Sequence, residues 1–231
     1  MQKKNQNGTV MVLDILREIT MIIMLSSQKG GSGKTTIAVN LCSYLALMGK
    51  DVMLIDSDRQ GTASNWLFDR CENKDLPLVH GVQKYENISG SLKDFKKRYE
   101  YVIVDSPGRD SREMRTGMVS ADFILIPVRC SQPDLDTLAK MQEIVNEVRD
   151  MNPKVKVKGL LTMASANPVV NEIQEAQDYA KDYPGIPLLS TIIFDRKIYR
   201  DGMSLGKGVL ELSNDKAKKE MKSLAKEIFD A

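Results

Sequence analysis

The chain has 231 residues, 42% of them hydrophobic and 28% charged, a composition typical of globular proteins that excludes a disordered or fibrous chain. The formal net charge is only +2, so bulk charge does not indicate a polyanion partner, and any nucleic-acid affinity must come from a local patch. The three cysteines form no CxxC pair, which argues against a disulfide framework or a zinc site and indicates a reducing cytosol. No apolar run approaches the roughly 20 residues of a membrane-spanning helix, and the polar start is unlike a secretory signal, so we expect a cytoplasmic protein.

Short apolar runs alternate along the chain with longer amphipathic segments. The runs predict β-strands at Met21–Leu25, Val52–Ile55, Tyr101–Val104, Phe123–Val128, Val157–Met163 and Leu188–Phe194. The amphipathic segments predict helices over about 134–150 and 214–229, and one after the first strand that buries Ile37, Leu41, Leu45 and Met48 and ends at Gly49. Apolar strands that alternate with helices are typical of a parallel sheet covered on both faces. We therefore predict a single-domain α/β fold, with a mostly parallel twisted sheet and helices on both faces.

The residues before the first strand are predicted to be separate from this domain. A boundary near Thr20 divides an N-terminal extension, residues 1–20, from a domain over residues 21–231. We expect residues 1–8, which are polar, to be disordered, and residues 9–19 to form a short helix or arm. An extension of this length is too short for a helix-turn-helix domain.

A glycine-rich loop lies between the first predicted strand and the first predicted helix. It reads Ser27-Gln28-Lys29-Gly30-Gly31-Ser32-Gly33-Lys34-Thr35-Thr36. Glycines allow backbone N–H groups to turn toward phosphate oxygens, Lys34 has the place of a lysine that reaches the β- and γ-phosphates, and the Thr35 hydroxyl has the place of an Mg²⁺ ligand. The strict Walker A pattern has glycine at the position of Gln28, so the alternative is a turn that merely contains Gly-Lys-Thr. The strand before the loop and the helix after it favour a phosphate loop.

The stretch from Lys29 to Thr36 resembles the deviant Walker A box of the ParA/MinD ATPases, and the resemblance extends over about residues 21–228. It implies a P-loop NTPase fold, ATP and Mg²⁺ as cofactors, an ATP-dependent sandwich homodimer, and nucleotide contacts from the box. Its members here are Lys29, Gly30, Gly31, Ser32, Gly33, Lys34, Thr35 and Thr36. The resemblance also implies that Lys29 is the signature lysine, which reaches the partner's nucleotide and acts with Lys34 in hydrolysis. Taken alone, Lys29 has the alternative of being a solvated loop lysine.

Two predicted strands end in carboxylates at the edge of the sheet where ligands bind in α/β folds. Asp56-Ser57-Asp58-Arg59-Gln60-Gly61 resembles the family motif Asp-x-Asp-Pro-Gln-Gly, with Arg59 in place of the proline. The resemblance implies that Asp58 positions the attacking water and that Asp56 supports the Mg²⁺ shell, whereas the alternative makes both turn or capping aspartates. Asp105 ends its strand as a Walker B aspartate does, bound to Mg²⁺ directly or through water. The segment Ser106-Pro107-Gly108 and residues 109–115 resemble the second switch, which moves with nucleotide state.

The remaining predicted contacts lie in the second half of the chain. Thr162 and Met163 close a strand near the place of the family's adenine pocket. Five basic residues are predicted to contact DNA phosphates nonspecifically, as in ATP-bound ParA dimers: Arg196, Lys197, Arg200, Lys218 and Lys222. The alternative is a solvated lysine face balanced by glutamates. The last helix lacks the apolar bulk of the membrane-binding helix of MinD relatives, so we expect no membrane docking.

These patterns lead to three hypotheses. The first is a ParA-type plasmid partition ATPase, associated with the nucleoid, whose slow hydrolysis is stimulated by a small centromere-binding adaptor. The second is a positioning ATPase for a protein cargo, such as a chemoreceptor array or a carboxysome, or a MinD-like spatial regulator. The third is a metabolic ligase of the wider P-loop group, which the second lysine of the loop, Lys29, disfavours.

Overall fold

The computed structural model describes residues 20–167 and 171–230, which contain a seven-stranded sheet. The strands are β1 (Met21–Leu25), β2 (Val52–Asp56), β3 (His80–Gln83), β4 (Tyr101–Asp105), β5 (Phe123–Arg129), β6 (Lys156–Ala164) and β7 (Leu188–Phe194). They are hydrogen-bonded in the order β3-β2-β4-β1-β5-β6-β7, and every neighbouring pair is parallel. The predicted α/β class and parallel sheet are confirmed.

Helices connect the strands and cover both faces of the sheet. They are α1 (Lys34–Leu47), α2 (Thr62–Glu72), α3 (Ser89–Phe95), α4 (Arg112–Ser120), α5 (Gln132–Leu135), α6 (Thr137–Met151), α7 (Glu172–Ala180), α8 (Lys197–Met203) and α9 (Asp215–Phe229). A 3₁₀ turn, Val209–Glu211, precedes α9. Among the residues that the structure describes, no helix has both the length and the apolar character needed to cross a membrane.

The central strand β1 shows why both faces of the sheet carry helices. Its residues alternate between the two faces, and its last four residues, 22–25, are apolar and fully buried. Ile23 and Leu25 pack in the cluster that contains buried residues of α1 and α9. Ile22 and Met24 pack in the cluster that contains buried residues of α4 and α6. A strand that buries both of its faces reads as a continuous apolar run, which is the pattern found in the sequence.

Two helical predictions differ from the structure. Ile37, Leu41 and Leu45 are buried in α1 as expected, but Met48 lies past the last residue of the helix and is 60% exposed. The chain turns at Gly49, which has φ 73°. The predicted helix over 134–150 is divided into α5 and α6, and the Thr137 hydroxyl donates to the Asp134 carbonyl at the junction (2.6 Å).

Parallel pairing brings the carboxyl ends of all strands to one edge of the sheet. Asp56, the last residue of β2, lies in register with Asp105, the last residue of β4, and Asp105 also pairs with Leu25 of β1. The glycine-rich loop leaves β1 at this edge. The predicted N-terminal extension lies outside the described residues, apart from Thr20, and so does Ala231.

Candidate nucleotide-binding site

The glycine-rich loop forms a cradle between β1 and α1. Gly31 and Gly33 have φ of 78° and 87°, a left-handed conformation that glycine adopts without strain. Gly33 is the N-cap residue of α1, so the amides of the first helical turn are directed into the loop. A Cβ atom at Gly30 or Gly31 would meet nothing within 4 Å, so this side of the loop faces open space. A helix N-terminus below an open, glycine-lined loop is a site for an anion.

Lys34 lies at the centre of this loop with only 6% of its surface exposed. Its Nζ donates to the Ser27 hydroxyl at 2.9 Å and to the Lys29 carbonyl at 3.3 Å. Burial lowers the pKa of Lys34 below its usual value, although the negative charges of Asp105 and Asp58 oppose that shift. The ammonium is therefore held by the loop itself, in the position where a phosphate chain would compensate its burial.

Thr35 and Asp105 form a hydroxyl–carboxylate pair beside Lys34. The Thr35 hydroxyl donates to Asp105 Oδ2 at 2.7 Å, while Asp105 Oδ1 is buried and has no hydrogen-bond partner. Burial is the main cause that raises the pKa of Asp105 to about 7, and the hydrogen bond from Thr35 acts in the opposite direction. A buried carboxylate oxygen without a partner, next to a hydroxyl, fits the oxygen ligands that Mg²⁺ prefers.

The two aspartates after β2 have different surroundings. Asp56 is 2% exposed and accepts three hydrogen bonds, from the Asp58 amide (3.1 Å) and from the amide and hydroxyl of Ser64 (2.8 and 2.7 Å). Both of its oxygens thus accept hydrogen bonds from the chain, and the predicted support of the Mg²⁺ shell by Asp56 stays a prediction. Asp58 is half-buried, and its charge acts on the pKa of Lys34, so it lies at the phosphate loop as predicted.

The second switch packs directly on the phosphate loop through Gly108. A Cβ atom at Gly108 would lie 2.6 Å from the Gly30 nitrogen and 2.9 Å from the Lys29 carbonyl carbon. Only glycine allows this approach. The segment that begins with residues 109–115 therefore joins the backbone of the loop through Gly108.

The predicted signature lysine is paired within its own chain. Lys29 Nζ lies 2.9 Å from Asp134 Oδ2, and the side chain of Lys29 is 44% exposed whereas that of Asp134 is 5% exposed. The sequence analysis gave Asp134 no role, because it lies 105 positions along the chain from Lys29. Its local signals are its place just after β5, at the same edge of the sheet, and the Pro133-Asp134-Leu135 sequence, which resembles the family's segment after this strand.

A cavity of about 250 Å³ opens beside Gly33. Its lining includes Thr36, Arg129, Thr162, Met163, Phe194 and Arg200. The Thr162 hydroxyl donates to the Ser32 carbonyl at 2.8 Å, which joins β6 to the phosphate loop. Met163 has a left-handed backbone with φ 51°, rare for a residue with a side chain. The structure thus brings the predicted adenine residues next to the loop and adds Arg129, which the sequence analysis did not select.

The five predicted DNA-contact residues fall into three situations. Arg196 is bound by Glu220 at 2.6 Å and its side chain is only 18% exposed. Lys197 and Arg200 pair with Asp201 and Asp195 but keep 78% and 66% of their side chains exposed. Lys218 and Lys222 lie on α9, half-buried and exposed respectively. A groove of about 620 Å³ between β7 and α9 brings Arg196 next to three further α9 lysines, Lys216, Lys219 and Lys226.

Unpartnered buried polar atoms gather at this edge of the sheet. Among the described residues, five buried side-chain atoms lack a hydrogen-bond partner, and four of them belong to Ser26, Gln28, Asp105 and Asp134, whereas the fifth is the Ser43 hydroxyl in α1. Buried polar groups without partners are rare in folded proteins. Their concentration around one loop supports a polar ligand at that loop.

A phosphate loop with a central lysine and an adjoining hydroxyl–carboxylate pair defines the molecule as a P-loop nucleotide-binding protein. The model of the CobQ/CobB/MinD/ParA nucleotide binding domain matches residues 23–205. The protein belongs to this family, so the resemblance to the ParA/MinD ATPases is confirmed.

Individual relatives act in partition and positioning. The "maintenance of carboxysome distribution protein A" of Halothiobacillus neapolitanus is 29% identical, over 82% of this chain and 87% of its own length. The chromosome-partitioning ATPase Soj of Thermus thermophilus is 30% identical, over 71% of this chain and 77% of its own. The septum site-determining protein MinD of Pyrococcus horikoshii, solved with Mg-ADP, shares the fold with a TM-score of 0.70 and 20% identity, over 91% of this chain and 96% of that chain.

Proposed function

We propose that the protein is a ParA-type ATPase that binds ATP–Mg²⁺, forms a sandwich dimer and segregates DNA. The observation that carries the proposal is the meeting of Lys34, Thr35 and Asp105 beneath a glycine loop that also presents Lys29. Lys34 and the first amides of α1 neutralise the phosphates, and Thr35 and Asp105 hold Mg²⁺. Thr162 and Met163 border the cavity that takes the adenine.

Hydrolysis depends on positioning and charge neutralisation rather than on covalent chemistry by the protein. Bound ATP–Mg²⁺ supplies the phosphoryl group that is transferred to water. Asp58 holds the attacking water in line, and Asp56 keeps the Asp58 amide and the start of α2 in place through its hydrogen bonds. Gly108 connects the loop to the second switch, so the switch follows the state of the phosphates.

Dimerisation uses Lys29. Its ion pair with Asp134 joins a lysine side chain that is 44% exposed to a carboxylate that is 5% exposed, so the lysine end of the pair is open to solvent and can reach another anion. In the ATP-bound dimer Lys29 leaves Asp134 and reaches the nucleotide of the partner subunit. The lysine thereby makes dimer formation depend on the triphosphate.

DNA binding uses the exposed cations of α8 and α9. Lys197, Arg200 and Lys222 are exposed to solvent. Three other lysines of α9 lie near Arg196 along the groove beside β7: Lys216, Lys219 and Lys226. Contacts of this kind reach DNA phosphates without reading sequence and weaken steeply with salt. A small adaptor bound at the centromere stimulates hydrolysis and releases the dimer.

Co-sedimentation with nonspecific duplex DNA tests this function. We expect binding with ATP–Mg²⁺ and little binding with ADP–Mg²⁺ or without nucleotide. K222E should weaken DNA binding and leave basal ATP hydrolysis unchanged, whereas K93E makes the same charge change on α3, which packs on the opposite face of the sheet, and should leave both unchanged. Equal DNA binding in all three nucleotide states would exclude the proposed switch.

A second candidate is a positioning ATPase for a protein cargo. The observation that favours it is the similarity to a carboxysome distribution protein. Neighbouring genes discriminate between the two, because a small ribbon-helix-helix adaptor with repeated DNA sites supports DNA partition. ATPase assays with that adaptor and its DNA sites then test the choice directly, since a cargo-positioning protein would not respond to them.

A further inference from the structure

The turn that carries Asp58 also contains Arg59, whose side chain contacts the segment after β3. The turn is closed by a hydrogen bond from the Gly61 amide to the Asp58 carbonyl (3.0 Å), and Asp58 Oδ1 accepts the Gln60 amide (3.1 Å). Arg59 therefore occupies the second position of a four-residue turn, and neither of these bonds uses its N–H. Its side chain is 63% exposed, but it makes two directed contacts.

The guanidinium of Arg59 lies against the segment that follows β3. Its central carbon is 5.0 Å from the centre of the Tyr85 ring, a distance at which a cation is attracted to the aromatic face. Its Nη2 atom is 3.5 Å from Glu86 Oε1. Since Arg59 is next to Asp58 in sequence, these contacts restrain the turn that presents the Asp58 carboxylate.

The other oxygen of Glu86 faces the second switch. Glu86 Oε2 lies 3.6 Å from Nη1 of Arg112, the first residue of α4. One carboxylate thus lies between two arginines that belong to different segments of the site, the Asp58 turn and the second switch. All three side chains are 62–66% exposed, and exposed pairs at such distances form and break easily.

The backbone of Glu86 is also held by α4. Glu86 has φ 65°, a conformation that a residue with a side chain adopts only when its surroundings impose it. Its amide donates to Glu113 Oε1 at 3.0 Å, and Glu113 is the second residue of α4. The backbone of Glu86 is therefore held by α4, so a movement of α4 displaces the residue whose carboxylate contacts Arg59.

We propose that Glu86 is a positioning residue for ATP hydrolysis, which holds the Asp58 turn through Arg59 and couples that turn to the second switch through Arg112. The inference rests on the proposed role of Asp58. The orientation of Asp58 then depends on the position of α4, without any contact between Glu86 and the nucleotide. Arg59 provides the side chain through which Glu86 contacts the Asp58 turn.

A double-mutant cycle tests the proposal. The first variant is E86Q, which keeps the size of the side chain and removes its charge. The second is R59P, because proline is favoured at the second position of such a turn and fixes φ without a side-chain contact. We expect E86Q to lower kcat about threefold, which is the size of effect that the loss of one exposed charge pair supports. KM for ATP should stay within about twofold of the parent value. In the R59P background, E86Q should cause no further loss, since the proline itself restrains the turn.

Several outcomes overturn the proposal. One is an equal loss of kcat from E86Q in both backgrounds, and another is no loss from E86Q in the parent chain. If R59P does not fold, R59A replaces it, and the double variant R59A/E86Q should then be no slower than the slower single variant. E143Q, which neutralises an exposed glutamate of α6 that pairs with Lys140, is the matched control and should leave kcat unchanged.

The D58A variant separates this inference from the proposed function. If D58A hydrolyses ATP at the normal rate, the role of Asp58 fails, and this inference fails with it. If D58A is inactive while E86Q keeps the full rate, only the coupling through Glu86 is wrong. Thermal unfolding of each variant shows whether a lower rate reflects loss of folded protein.

Discussion

Lys29 Nζ donates a hydrogen bond to Asp134 Oδ2 at 2.9 Å, which ties the phosphate loop to α5 within one chain. Asp134 is almost fully buried, and its second oxygen has no hydrogen-bond partner. In the single chain the ammonium of Lys29 is thus engaged by an intrachain ion pair. Formation of the proposed dimer must exchange this ion pair for a contact with the partner's nucleotide.

Neutralising Asp134 should favour the dimer. D134N removes the charge that holds Lys29, and we expect the ATP-dependent dimer to become about threefold tighter, which corresponds to roughly 0.6 kcal/mol for a partly exposed pair. Analytical ultracentrifugation with ATP–Mg²⁺ measures the dimer dissociation constant. K29A should prevent the dimer in both backgrounds. A weaker dimer in D134N would instead assign Asp134 to the dimer interface itself.

Removing the Asp58 carboxylate should separate ATP binding from hydrolysis. We expect D58A to lower kcat by at least about 100-fold, since a positioned carboxylate contributes that much to proton transfer or water alignment. The affinity for ATP should stay within about twofold, measured by titration with a fluorescent nucleotide. D58N is the matched control for the turn, because its amide oxygen still accepts the Gln60 N–H. If D58N restored the rate, the turn geometry rather than the charge would carry the effect.

The contact between Gly108 and the loop should be intolerant of any side chain. In G108A the added Cβ would stand 2.6 Å from the Gly30 nitrogen, so the loop or the switch must shift. We expect ATP affinity to fall about tenfold, because the displaced loop amides would no longer all be directed at the phosphate oxygens. G90A is the control, since a Cβ at Gly90 in α3 meets nothing within 4 Å. Equal affinities in the two variants would show that the loop adapts without cost.

Much of the sheet and of the loop was predictable from the sequence, because buried parallel strands read as apolar runs. The six predicted strands lie within about one residue of β1, β2, β4, β5, β6 and β7. The strand β3 was not predicted, because it lies at the edge of the sheet and its four residues, His80–Gln83, are mostly exposed. His80, the first residue of this strand, is exposed.

Pairings between distant residues were not predictable in the same way. Lys29 meets Asp134 and Arg196 meets Glu220 only because the sheet order and the return of α9 bring them together. Arg196 illustrates the consequence, since a residue chosen for its charge as a DNA contact proves to be mostly buried in an ion pair. Local patterns report the strand ends where a site forms, whereas the partners of each charge depend on the tertiary fold.

The raised pKa of Asp105 leads to a pH-dependent prediction. Burial raises that pKa to about 7, so the folded protein keeps the proton between about pH 4 and pH 7, where the unfolded chain has lost it. This carboxyl therefore lowers the stability of the Mg²⁺-free protein as the pH rises through that window, and the penalty is constant above pH 7. D105N removes the penalty, and we expect it to stabilise the Mg²⁺-free protein by roughly 2–4 kcal/mol at pH 8 and by clearly less at pH 5. Urea unfolding at both pH values measures the difference, and a gain of equal size at both would contradict the assignment.

The same variant should lose the Mg²⁺ dependence of nucleotide binding, because the carboxylate that would hold the cation is gone.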